Sequence, residues 1–212
     1  DDRYRLPLEP LPYHVEIIRY LQTREGDLWT WFEADRFRAE NSDAVRLGLL
    51  KSTYRIDRSA NLGLYEAADG VAASLGLSVS GSSDAFPSLP LTIYQSQAPV
   101  GLNVGLAYVP GAAHIVLTGP VCTTLTPPEV RCVLAHELSH FGLLDRWRDY
   151  LIASQLLAAM ANDTQATASH LATARLFDLY GEVYCDRGSL LATGDLASSI
   201  SALVKIVTGT TD

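Results

Sequence analysis

Residues 136–140 read His-Glu-Leu-Ser-His, the arrangement in the chain that can do the most chemistry. On an α-helix, positions i and i+4 lie on one face, so the imidazoles of His136 and His140 can reach one metal ion. Glu137 is one residue on, turned by about 100°, where its carboxylate can reach a water activated by that metal. Two neutral imidazoles and one further protein ligand suit zinc, with a fourth position left for water. Two of the chain's five histidines fall in this pentapeptide. Its neighbours Val133, Leu134, Ala135 and Leu138 predict a buried helix. Burying two histidines and a glutamate without a metal or partner would be costly. The expected cofactor is one Zn²⁺ per chain.

The third ligand should lie downstream. Gly181-Glu-Val-Tyr-Cys-Asp186 places Glu182 and Asp186 four apart on a second helix, and Asp178 is a further turn back. One carboxylate can bind the metal. Another can accept the N–H of a ligand histidine, which fixes its tautomer and raises its basicity. Spacing alone does not choose among the three acids. Leu176, Phe177, Leu179, Leu190 and Leu191 around them predict a packed helix.

These residues need elements to hold them. Thr126-Pro-Pro-Glu129 is a helix start, with a cap residue, prolines in the first turn and a glutamate three on. The helix is expected to run to about Phe141 and stop at Gly142. Three more helices follow, over about 146–160, 164–191 and 197–207. Ahead of the motif, Leu91 to Gln95 reads as a strand, and Leu102 to Val109 and His114 to Thr118 read as a hairpin split by Pro110–Gly111. The first third is helical: Tyr13 to Phe37 with a break at Gly26–Asp27, a start at Asn41 to Asp43, and a helix from Ser59 to Leu75. Ser78 to Pro90 is the best linker. The expected fold class is α+β, with residues 1–85 as a helical region covering a core of 86–212.

Composition removes several classes of function. Of 212 residues, 48% are apolar, enough for a sizeable core. Lys and Arg total 16 against 24 Asp and Glu, a formal charge of −8, which argues against nucleic acid or an anionic membrane surface as partner. The longest apolar stretch, Val100 to Val121, is punctuated by Asn103, Pro110, His114 and Gly119–Pro120, so no membrane span is expected. Cys122, Cys132 and Cys185 are too few and too odd for a disulfide framework and read as small buried side chains. A reducing cytoplasm is the inference. The chain opens on Asp1–Asp2 rather than Met, so the expectation is of a processed or partial chain.

Four segments in order resemble the M48 metallopeptidases, the gluzincins related to the heat-shock membrane protease and the CAAX-processing zinc protease. They are Tyr108-Val-Pro-Gly-Ala-Ala-His-Ile-Val-Leu-Thr118, Leu125 to His140, Glu182-Val-Tyr-Cys-Asp186, and Leu191-Ala-Thr-Gly-Asp195 with Leu203-Val-Lys-Ile206. The resemblance spans roughly Leu91 to Thr208 and implies a zincin-like core. By it, His136, His140 and Glu182 would ligate zinc and Glu137 would be the general base. Asp186 would support His136 from behind. Where members carry an Asn-Ala-Phe-Ala-like segment on the strand that pairs with substrate, this chain has Gly105-Leu-Ala-Tyr108, with Asn103 two places early.

The function these features imply is zinc-dependent hydrolysis of peptide bonds in a peptide or unfolded protein. Tyr184 and Arg187 flank the acids and are candidates for oxyanion stabilisation. His170 and Tyr108 are weaker candidates for substrate contact. Two rivals are a catalytically silent metal-binding module that works through protein–protein contacts, and a latent enzyme with Arg3 to Tyr13 lying along its cleft. The intact Glu137 counts against the first, since a scaffold needs no general base.

Overall fold

A computed structural model describes residues 8–77, 89–98 and 101–209, and the side chains of 35–41 are outside it. The linker expected at Ser78 to Pro90 falls mostly outside these residues. In chain order the elements are α1 (Pro12–Arg24), α2 (Gly26–Glu33), α3 (Asp35–Ser52), β1 (Thr53–Arg55) and α4 (Leu62–Ser74). They continue with β2 (Leu91–Ser96), β3 (Asn103–Val109), β4 (Ala112–Thr118), α5 (Val121–Thr124), α6 (Pro127–Arg146), α7 (Arg148–Asn162), α8 (Ala168–Thr193) and α9 (Leu196–Thr208). This is an α+β architecture consistent with a zincin-like core.

The expected hairpin is present. Val109 pairs with Ala112 across a two-residue loop, where Pro110 sets one turn position and Gly111 takes φ 73° at the next. The four-stranded sheet has the order β1-β2-β4-β3, and β2 runs parallel to β4, a pairing that needs a crossover and that local pattern does not predict. β4 alternates cleanly: Ala113, Ile115 and Leu117 are buried. That face packs with Tyr65 and Val71 of α4 and Leu134 and Leu138 of α6. A second core joins Leu21, Trp29 and Phe32 of α1 and α2 to Tyr150 and Leu156 of α7 and Phe177 and Cys185 of α8. Described residues from both 1–85 and 86–212 therefore contribute to each core. Among the described residues, no helix is long and apolar enough to cross a membrane.

Several boundaries differ from the sequence expectation. α3 runs through Asn41 to Asp43 instead of starting there. α6 starts as expected, with the Glu129 carboxylate accepting the Thr126 N–H at 2.7 Å, but passes through Gly142 to Arg146. Gly142 serves packing: a Cβ there would stand 3.1 Å from Leu77 Cδ2. α8 is less packed than its leucines suggested. Phe177 is buried, but Leu176, Leu179, Leu190 and Leu191 are exposed. Cys122 is also exposed, whereas Cys132 and Cys185 are buried, and all three are free.

Candidate metal centre

Two helices build the site. α6 presents His136 and His140 on one face, and α8 crosses it with Glu182 and Asp186. The Nε2 atoms of the two histidines stand 3.2 Å apart. Glu182 Oε2 is 3.1 Å from His136 Nε2, and its Oε1 is 3.5 Å from His140 Nε2. His136 Nδ1 donates to Asp186 Oδ1 at 3.0 Å, since a carboxylate can only accept. Asp186 thereby leaves Nε2 as the free ligand nitrogen. Both imidazoles are mostly buried, while the two acids are about half exposed.

The donor set fits zinc on spacing and chemistry. Tetrahedral bonds of 2.0–2.1 Å put neighbouring ligand atoms about 3.3 Å apart. The two histidine nitrogens are 3.2 Å apart, and the Glu182 carboxylate bridges them, Oε2 at 3.1 Å from one and Oε1 at 3.5 Å from the other. The charges converge as well. Burial opposes a proton on His136, but its hydrogen bonds to Asp186 and Glu182 outweigh it and raise its pKa to about 9. The two histidines hold Glu182 far below the usual carboxylate range, against its own partial burial. A cation is wanted between these groups, and a divalent ion supplies that charge more fully than a proton does.

A second triad overlaps the first. His136, His140 and Cys185 offer ligand atoms all within 4.8 Å of one another. Cys185 is fully buried, and that burial pushes its thiol far above its ordinary pKa. A zinc ligand must be thiolate, so this environment works against it. The Glu182 carboxylate is already charged, and each of its oxygens stands within 3.5 Å of one histidine Nε2.

Glu137 faces the other flank of α6, toward β3. Burial raises its pKa, and the His140 and His136 charges and the Leu106 backbone N–H oppose the rise. Asp178 is not part of the cluster; partial burial and the Glu182 charge raise its pKa.

The remaining candidates disperse. Tyr184 is buried, and its hydroxyl donates to Leu8 O at 3.3 Å, so it is not at the cluster; burial pushes it up to about 12. His170 caps the start of α8 with Thr167, about 18 Å along the helix from Glu182 at 1.5 Å per residue. The Tyr108 hydroxyl reaches Asp145 Oδ1 at 3.3 Å and ties the hairpin to the end of α6. Arg187 follows Asp186 on α8 and lines a groove beside the site. Of the segment considered as a cleft blocker, Leu8 is held at Tyr184 and Gly188 instead of Glu182, and residues 3–7 lie outside the described ones.

Two glycines that motif reading passed over set the helix spacing. A Cβ on Gly188 would stand 2.1 Å from Ser139 Oγ and 2.8 Å from Ser139 Cβ. One on Gly181 would meet the Tyr150 hydroxyl at 2.5 Å. The glycines are seven apart with Cys185 between them, a stripe of small residues on one face of α8. That spacing was the available signal.

The model of Peptidase family M48 matches residues 83–209, more than half of the chain. Protease HtpX homolog 2 of Methanosarcina acetivorans is 26% identical over 147 residues, covering 57% of this chain and 49% of its own length. The chain thus spans about half the length of that curated relative. No solved structure matches it.

Proposed function

The chain belongs to peptidase family M48, and from that premise we propose that it is a zinc endopeptidase whose metal is held by His136, His140 and Glu182. The family makes it a metallopeptidase with zinc as the usual metal and peptides or proteins as substrates. The observation that supports the residue assignment is the convergence from two helices of two histidine nitrogens 3.2 Å apart and a carboxylate with one oxygen at 3.1 Å and the other at 3.5 Å from them.

Zinc bound there supplies Lewis acidity, which activates a water and polarises the scissile carbonyl. The chain's residues do the rest. Glu137 takes the proton from the attacking water and passes it to the leaving amine. Burial supports that role, because a carboxylate with a raised pKa holds the proton long enough to return it. Asp186 keeps the His136 ring in the tautomer and orientation that ligation needs. β3 is an edge strand of the sheet with α3 and α6 packed near it, and backbone groups on such an edge can pair with an extended substrate. An unfolded segment is the substrate form that such an edge accepts.

The test is elemental analysis after gel filtration without added metal, beside cleavage of casein. The expected result is one zinc per chain and cleavage that a chelator abolishes and zinc restores. Metal content unchanged in a His136→Ala/His140→Ala variant would overturn the assignment.

A further inference from the structure

A cavity of about 350 Å³ is a groove between α6, α8 and α9 that borders the proposed metal centre at His136 and Asp186. His136, Asp186 and Arg187 are among its lining residues. The walls are mostly apolar: Val133 of α6, Val183 and Leu190 of α8, and Leu196, Ile200 and Leu203 of α9. Five of these six stay 40–58% exposed, so the groove is open to water rather than a gap in the core. Leaving that much aliphatic surface wet is unfavourable, and such patches commonly mark binding sites.

The groove is also held in shape. Glu129 on α6 accepts from Ser201 Oγ at 2.5 Å and Lys205 Nζ at 3.0 Å, both on α9. Asp195 caps the start of α9 through the Ser198 N–H at 2.9 Å. Those bonds fix the inner face of α9 and leave the face bearing Leu196, Ile200 and Leu203 turned to the groove. A largely apolar cleft with a few polar and charged groups is the usual build of a side-chain pocket.

We infer that this groove receives a large apolar side chain of the substrate residue next to the scissile bond, and so sets cleavage preference. This rests on the peptidase reading above. The groove shares His136 and Asp186 with the proposed centre, so a substrate carbonyl held beside His136 brings its neighbouring side chain close to the groove. The apolar walls favour Phe or Leu over Ala. A Lys or Arg side chain would have to give up water against those apolar walls, which disfavours it.

The test uses zinc-loaded Glu137→Gln protein and labelled peptides of small residues carrying Phe, Ala or Lys at one position. Fluorescence anisotropy reads binding, and cut sites are mapped on the same peptides with the unaltered chain. Phe is expected to bind at least about tenfold more tightly than Ala, and Lys no better than Ala, the scale that an apolar pocket achieves. Ile200→Trp and Leu203→Trp, both at half-exposed positions, fill the groove and should each cut the Phe-to-Ala ratio to about threefold or less. An unchanged ratio in whichever filled variant folds and binds zinc would overturn the inference, as would equal binding of Phe and Ala. If groove-dependent binding is present but the unaltered chain cleaves nothing, the peptidase reading fails and the groove stands. Cleavage that is indifferent to the groove has the opposite meaning.

Discussion

Substituting Gly188 by alanine should loosen the metal centre even though Gly188 touches no metal ligand. A mid-helix glycine replaced by alanine ordinarily gains about 1 kcal/mol. Here the new methyl group would sit 2.8 Å from Ser139 Cβ and 2.1 Å from its Oγ. Carbon atoms rest about 3.5–4.0 Å apart, so α6 and α8 must separate by about 1 Å. Turning the serine does not relieve this, because the Cβ contact remains. It would also break the bond from Ser139 Oγ to Ala135 O at 2.7 Å. Overpacking of this kind costs about 1–3 kcal/mol, so the net change in stability is expected between about zero and 2 kcal/mol of loss. The effect on the metal is larger. Ser139 lies between the two histidines' turns and Gly188 is two residues past Asp186. Separation by 1 Å stretches the 3.0, 3.1 and 3.5 Å contacts of Asp186 and Glu182 to about 4 Å or more, against a tolerance of about 0.2 Å for metal bonds. Zinc affinity should fall about 10–100-fold, the range seen when outer support of a ligand is lost. Competition with a chromophoric chelator at fixed pH measures it, with urea unfolding alongside. Adding Ser139→Gly should restore most of the affinity, because it removes both clashing atoms. A Gly188→Ala protein that binds zinc within twofold of the unaltered chain, and is equally or more stable, would refute the reasoning.

The same chelator assay ranks the acids on α8. Glu182→Ala should weaken zinc most, Asp186→Ala by about 10–100-fold, and Asp178→Ala and Cys185→Ala by little; Cys185→Ala as the worst of the four would move the third ligand to the thiol. Glu129 gives a pH-dependent prediction. Burial opposes its charge, but bonds from Ser201, Thr126 and Lys205 win and lower its pKa from 4.5 to about 2. Its stabilisation, about 3 kcal/mol at 1.36 kcal/mol per pH unit, is complete above the unfolded value and lost as pH falls through the folded one. In urea, the gap between the unaltered chain and Glu129→Gln should be about 3 kcal/mol at pH 7 and about half that at pH 3, and a gap independent of pH would contradict it.

Much of the site was legible because its chemistry is local. His136 and His140 share a helical face by spacing alone, and Thr126 to Glu129 announces the helix that carries them. The hairpin followed from Pro110–Gly111 between two apolar runs. What was not legible depends on distant packing. The parallel pairing of β2 with β4 is non-local. The short β1 has no sequence signal beyond three residues. Tyr184 and Arg187 flank the same acids in sequence, yet helical geometry turns Tyr184 into the core and Arg187 outward. Gly142 looked like a stop because its missing Cβ reads the same for a cap as for a close contact with Leu77.

The most direct test of the central claim is cleavage of an unfolded protein by Glu137→Gln and unaltered chains matched for zinc content. Glutamine keeps the shape of the side chain but cannot take a proton from water. The account predicts one zinc per chain in both, and a rate for Glu137→Gln lower by about 10²–10⁴-fold, the usual contribution of a positioned general base. Equal zinc with cleavage within a few-fold of the unaltered chain would contradict it.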